Sequence, residues 1–214
     1  MSYLAEDLVR AEAESNAGKM PNKEELAALM SEFEQGLLIP EAKRTPQLLV
    51  CPVGHVGAGK TTVMKPLCKK LSLVRISTDE FRHLLKDHGF SFLVMRDVLS
   101  HLAKKYLSAG FSLGLDADCS GETKVFIDQA QQKMSDIKVV WLHIAPPERF
   151  ILDKLRKYRH TWLFKDADEA IANYSRRKAL HDNLDMPFLY TFDTSRADLG
   201  EQIDETVLLI EKIK

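Results

Sequence analysis

Gly54-His55-Val56-Gly57-Ala58-Gly59-Lys60-Thr61 stands between an apolar run over residues 48–53 and a helix-patterned run over residues 61–71. The stretch fits G-x-x-x-x-G-K-[ST] in the setting its chemistry needs, after a strand and before a helix. Its glycines let the backbone curl with N–H groups pointing inward at phosphate oxygens. The helix that starts near Lys60 adds the positive end of its dipole. Gly54, His55, Val56, Gly57, Ala58, Gly59, Lys60, Thr61 and Thr62 are therefore the expected nucleotide-binding stretch. Lys60 is expected to reach the β- and γ-phosphates, and Thr61 to offer its hydroxyl to Mg²⁺. His55 and Val56 are the variable positions of the loop. His55 reads either as a solvated loop residue or as a contact to phosphate or base. Thr62 falls beside base or ribose with no specified role.

Outward from the loop, strand and helix patterns alternate. Strands are expected at residues 48–53, 73–77, 111–116, 137–144 and 188–192. Helices are expected at 61–71, 79–87, 92–108, 124–134, 147–160, 166–184 and 199–213. Such alternation implies right-handed crossovers and a mostly parallel sheet covered on both faces. The expected fold is a three-layer α/β/α sandwich over residues 46–214. A helical extension precedes it over residues 1–45. There, residues 5–17 read as a short amphipathic helix, and Asn22 with Glu25 suits a capping box. The extension is either an arm packed on the core or a lid, dimer contact or regulatory element.

The second strand runs into Ser77-Thr78-Asp79-Glu80-Phe81-Arg82. In open α/β sheets the carboxyl ends of the strands form the ligand crevice. A carboxylate at Asp79 can there accept or orient the proton of an attacking hydroxyl. The bland alternative is a carboxylate that only caps the helix. Arg82 shares its helical face and suits an anionic group on the acceptor, or a surface ion pair. Asp116 and Asp118 lie beyond the third strand. Asp116 is the preferred partner of Mg²⁺, and both are candidates to touch the acceptor. Asp193-Thr194-Ser195 closes the last strand, either near the base or as the cap of the last helix.

The loop together with residues 77–82 resembles the P-loop kinase group of polynucleotide 5′-hydroxyl kinases, zeta toxins and chloramphenicol phosphotransferases. The likeness continues through residues 110–118, 141–149 and 191–195, and covers the chain from about Gln47 onward. It implies a P-loop NTPase fold with a five-stranded parallel sheet in the order 2-3-1-4-5. It also implies ATP and Mg²⁺ as cofactors, Asp79 as general base, Arg82 as an acceptor contact and a lid over about 148–166. Val56 replaces a proline that many members carry. The lid is dense in cations, and Arg156 and Arg159 are its candidate catalytic arginines; a basic helix face is the bland alternative. Residues 160–164 add an aromatic cluster that either closes over an acceptor or packs the lid.

Lys+Arg total 30 against 31 Asp+Glu, a net charge of −1, and 45% of the 214 residues are hydrophobic. That balance disfavours a long nucleic-acid footprint and leaves a short oligonucleotide, a nucleotide or a small hydroxyl-bearing molecule as acceptor. The acid-bearing N-terminal residues are not a signal peptide, and no apolar run is long enough to span a membrane, so a cytoplasmic protein without membrane contact is expected. Cys51, Cys68 and Cys119 match no zinc spacing and read as buried thiols. The histidines show no metal spacing. No N-K-x-D guanine signature is present. The leading expectation is an ATP-dependent kinase acting on an alcohol group. The other readings are an ATPase or switch with a protein partner on the N-terminal arm, a 5′-hydroxyl polynucleotide kinase, and a toxin acting on a nucleotide sugar.

Overall fold

The computed structural model describes residues 18–134, 136–157 and 163–214. The expected helix over residues 5–17 and the lid residues 158–162, Arg159 among them, lie outside the described residues. Helix α1 (Lys23–Gln35) opens on the Asn22–Glu25 capping box. Asn22 Oδ1 accepts from the Glu24 and Glu25 amides, and Glu25 accepts from the Asn22 amide.

Five strands follow: β1 (Leu48–Val53), β2 (Val74–Ser77), β3 (Leu113–Asp116), β4 (Lys138–Ile144) and β5 (Phe188–Phe192). They form one parallel sheet in the order β2-β3-β1-β4-β5. This is the expected order. The crossovers carry α2 (Lys60–Lys70), α3 (Thr78–Asp87), α4 (Met95–Ser108), α5 (Gly121–Lys133), α6 (Glu148–Lys157) and α7 (Ala167–Asp182), and α8 (Leu199–Glu211) closes the chain. The single helix expected over 92–108 is broken. A 3₁₀ turn at Phe92–Val94 precedes α4, because the Ser91 hydroxyl accepts from the Leu93 amide and caps that turn separately.

β1 is buried along its whole length, and its alternation divides the core. Leu49, Cys51 and Val53 join the apolar layer with α1, α3 and α4; Leu48 and Val50 join the layer with α2, α6 and α8. Pro52 is tolerated in this central strand by register. The Leu48 amide points at the β3 side, where Ser112 Oγ accepts it, and Pro52 shares that side by the period of two. The β1–β3 ladder has ended at Val50, so the proline removes no ladder bond. Helix α1 lies against α3 and α4 through the Phe33–Phe81 edge contact at 5.2 Å. Glu34 receives Lys105 Nζ at 2.6 Å and Tyr106 Oη at 3.0 Å. These contacts agree with an arm packed on the core.

Candidate active site

The loop between β1 and α2 has the glycines its path requires. A Cβ on Gly54 would stand 2.5 Å from the Ile144 carbonyl oxygen at the end of β4. Gly57 and Gly59 take φ of +79° and +97°, which favours glycine. Leu155 and Ile151 of α6 pack over Gly57, and Thr194 packs against Gly59. The Thr194 hydroxyl also donates to the Ala58 carbonyl at 2.6 Å. Thus the exit of β5 touches the loop directly. Asp193 does not cap the last helix; its carboxylate accepts from the Ser195 amide and hydroxyl, and Asp198 precedes α8.

Lys60 Nζ donates to the Gly54 and His55 carbonyls at 2.8 and 2.9 Å. Burial lowers its pKa, and the charges of Asp118, Asp79 and Asp116 work against that lowering. Thr61 Oγ1 donates to Asp116 Oδ1 at 3.0 Å. Burial raises Asp116 against Arg75 and Thr61, which favour its charged form. A hydroxyl and a carboxylate in contact beside the lysine are hard oxygen donors of the kind Mg²⁺ takes. No cluster of three or more His, Cys, Asp or Glu suited to a metal occurs among the described residues. The pair thus fits an ion carried largely by phosphates and water rather than a protein cage. Thr62 is exposed on the first turn of α2.

Asp79 lies in the first turn of α3, but the cap is Ser77, whose hydroxyl accepts from the Glu80 amide. The capping alternative for Asp79 is thereby taken by another residue. Its side chain is 47% exposed and pairs with Arg82 Nη1 at 3.2 Å.

Asp118 is heavily engaged. Oδ1 accepts from the Gly54 amide at 3.5 Å and the Ser120 amide at 3.3 Å; Oδ2 accepts from Ser120 Oγ at 2.8 Å and faces His181 Nε2 at 3.2 Å. Burial opposes its ionisation, yet the His181 hydrogen bond and the charge of Lys60 hold it well below the usual carboxylate range. Its oxygens are thus occupied by the loop and by α7 rather than directed to an acceptor.

Helix α7 supplies residues that the sequence did not single out. Tyr174 and His181 lie tilted against His55 with ring centres 4.4 and 4.1 Å away, and Arg177 Nη2 lies 3.8 Å from Asp118. His55 is consequently no solvated loop residue. Burial first, then the neighbouring His181, pushes it down to about 4. His55 Nδ1, His181 Nδ1 and Arg177 Nε are buried without a hydrogen-bond partner among the described residues. The available signal was the polar face of residues 174–181, which reads equally as solvent-facing surface. On α6 the expected Arg156 is exposed and pairs with Asp153 at 3.1 Å. Lys154 is the partly buried cation of α6; burial lowers its pKa first, and the Lys60 charge adds to the effect. Helical geometry cannot turn both toward the loop, since Ile151 and Leu155 fix the buried face.

A parallel sheet in this order, with a lysine-bearing phosphate loop at its carboxyl edge, defines a P-loop kinase-type nucleotide-binding protein. The family model described as an AAA domain matches residues 49–177, and the chain belongs to this family of P-loop kinase domains. Solved structures share the fold at low identity. One is from the PezAT chromosomal toxin–antitoxin system of Streptococcus pneumoniae, with TM-score 0.57 and 18% identity over 91% of this chain and 100% of that one. Another is shikimate kinase from Acinetobacter baumannii in complex with shikimate, with TM-score 0.52 and 18% identity over 79% and 97%. A third is the Mycobacterium tuberculosis APS kinase CysC with AMPPNP and APS, with TM-score 0.51 and 19% identity over 78% and 98%. No curated protein matches the chain. No helix among the described residues is long and apolar enough to cross a membrane.

Proposed function

We propose that the protein is an ATP-dependent phosphotransferase that moves the γ-phosphoryl of MgATP to a hydroxyl of a small molecule, nucleotide or nucleotide sugar. The observation that carries this reading is that Asp116 joins the phosphate loop to the helix after β2: Thr61 Oγ1 donates to its carboxylate at 3.0 Å, and Thr78 Oγ1, next to Asp79, donates to its carbonyl at 3.2 Å. A carboxylate on the helix after β2 thereby shares one crevice with the phosphate loop. The acceptor hydroxyl oxygen attacks the γ-phosphorus, its proton passes to Asp79, and the bond to the β-phosphate oxygen breaks to release ADP. Lys60 holds the β- and γ-phosphate charge. Thr61 and Asp116 are the residues that would hold Mg²⁺, which would neutralise phosphate charge. Arg82 would leave its pair with Asp79 for an anionic group on the acceptor. Among described cations, Arg177 and Lys154 are the candidates to neutralise charge on the transferring group, and Arg159 is kept from the sequence reading.

The test uses γ-labelled ATP and Mg²⁺ with a small-molecule extract and, separately, with short 5′-hydroxyl oligonucleotides. Wild type, Lys60→Ala and Asp79→Asn run side by side. Asp79→Asn is expected to keep ATP binding and lose transfer by about 10²–10⁴-fold. Lys60→Ala is expected to lose both. Transfer at the wild-type rate in Asp79→Asn would remove the base assignment. Label released only as phosphate in both pools would instead indicate an ATPase acting on a protein partner.

A further inference from the structure

Arg75 of β2 is absent from every role so far, yet among the described residues it is more enclosed than Arg82 or Arg177, with a side chain 17% exposed. An arginine this enclosed is costly unless both arms of its fork are matched. Here they are. Nη1 donates to Asp116 Oδ2 at 2.6 Å, and Nη2 donates to Glu80. Glu80 is held in turn by Lys65 of α2 at 3.4 Å. The register explains the reach. Arg75 stands opposite Gly114 on the neighbouring strand and Ser77 opposite Asp116, so the guanidinium reaches one pair further along to meet the carboxylate diagonally.

The two oxygens of Asp116 are thereby divided. Oδ2 is taken by Arg75, and Oδ1 accepts from Thr61. The carboxylate cannot rotate without breaking both bonds. The second arm of the same guanidinium holds Glu80, the residue next to Asp79. We propose that Arg75 is a positioning residue: it fixes Asp116, and through it Thr61, for the Mg²⁺ of the nucleotide, and it ties that carboxylate to the helix carrying Asp79. The proposal rests on the assignment of Thr61 and Asp116 to Mg²⁺. A lysine would not substitute, because a single ammonium on a flexible stem does not span two carboxylates in one plane.

The experiment compares wild type, Arg75→Lys, Arg75→Met, Glu80→Gln and Asp116→Asn in the full chain. Calorimetry measures binding of a non-hydrolysable ATP analogue in EDTA and across a Mg²⁺ titration, with thermal unfolding of each variant recorded beside it. In Arg75→Lys and Arg75→Met, analogue binding in EDTA is expected within about two-fold of wild type. The Mg²⁺ concentration giving half of the binding enhancement is expected to rise about ten-fold or more, as for groups that orient metal ligands. Glu80→Gln, which removes only the second anchor, is expected to give a smaller rise in the same direction. The sign is diagnostic. Removing a cation beside a metal site by charge alone would lower the Mg²⁺ requirement. A lowered or unchanged requirement in the Arg75 variants overturns the proposal, and so does an equal loss of binding in EDTA and in Mg²⁺. Should Arg75→Met fail to fold, Arg75→Lys and Glu80→Gln carry the same comparison. Asp116→Asn separates the two assignments. An unchanged requirement there removes the Asp116 assignment itself, and with it the proposal. A raised requirement there with unmoved Arg75 variants removes only the positioning role.

Discussion

At the scale of single residues, the crevice is organised around charges that no one element supplies. Lys60 is held by the carbonyls of its own loop, Thr61 by the carboxylate at the end of β3, and Asp118 by a histidine and an arginine from α7. Arg177 holds Asp118 only loosely at 3.8 Å and leaves Nε unbonded among the described residues. A guanidinium so placed can shift from the carboxylate to a phosphoryl group when that group is bound. Arg177→Met is accordingly expected to lower kcat by about 10²–10³-fold with the nucleotide KM little changed. Arg156→Met is expected to stay near wild type, since its partner Asp153 is an exposed neighbour on the same helix and such a pair contributes about 0–1 kcal/mol. Steady-state kinetics of the two variants checks the contrast. A large loss in Arg156→Met with none in Arg177→Met would return the role to the arginine read from the sequence.

At the scale of elements, α2 lies close on β3. A Cβ on Gly114 would stand 2.3 Å from Cys68 Sγ and 3.0 Å from the Met64 terminal methyl. Helix α2 must lie this close for the loop before it to start at the end of β1. The Cys68 thiol is correspondingly buried and pushed up to about 12. Gly114→Ala is expected to cost about 1–3 kcal/mol by overpacking. Adding Cys68→Ala removes the sulfur that the new methyl meets, so the double variant is expected to recover part of that loss. Thermal unfolding of the two single variants and the double variant measures the coupling. Additive losses would show that the helix, rather than the sulfur, sets the approach.

At the scale of the whole molecule, the packing of α7 on the phosphate loop makes stability depend on pH. His55 titrates at 6.5 when exposed and at about 4 in the fold. Between those values the unfolded chain binds the extra proton, so acidification favours unfolding. The contribution of a neutral His55 is complete above pH 6.5 and is lost progressively toward pH 4. Asp118, held below the usual carboxylate range, contributes above that range and loses its share only in stronger acid, outside the His55 window. Denaturant unfolding without nucleotide, repeated across pH 4–7, is expected to show stability falling through this interval. The slope should be reduced in His55→Phe. An unaltered slope in that variant would place the pH dependence elsewhere.

What was legible in the sequence was local. The loop spacing, the five strands, the order of helices and the Asn22–Glu25 cap all follow from periodicities and turn chemistry that span a few residues. The strand order came by resemblance rather than by spacing, because neighbouring strands in a parallel sheet are joined only through crossovers. The positions of Asp79, Asp116 and Thr61 in the fold were also legible, since each stands at a strand end or at the loop. Tertiary structure alone decided the rest. Arg75 reads as one polar residue of a short strand until β3 is laid beside it with Gly114 opposite. Tyr174, Arg177 and His181 read as the polar face of a helix until α7 settles on His55 and Asp118. Charged and aromatic side chains look alike in sequence whether they face water or a buried carboxylate. The difference is made by which distant segment covers them, and that depends on how the crossovers pack rather than on the residues near them in the chain.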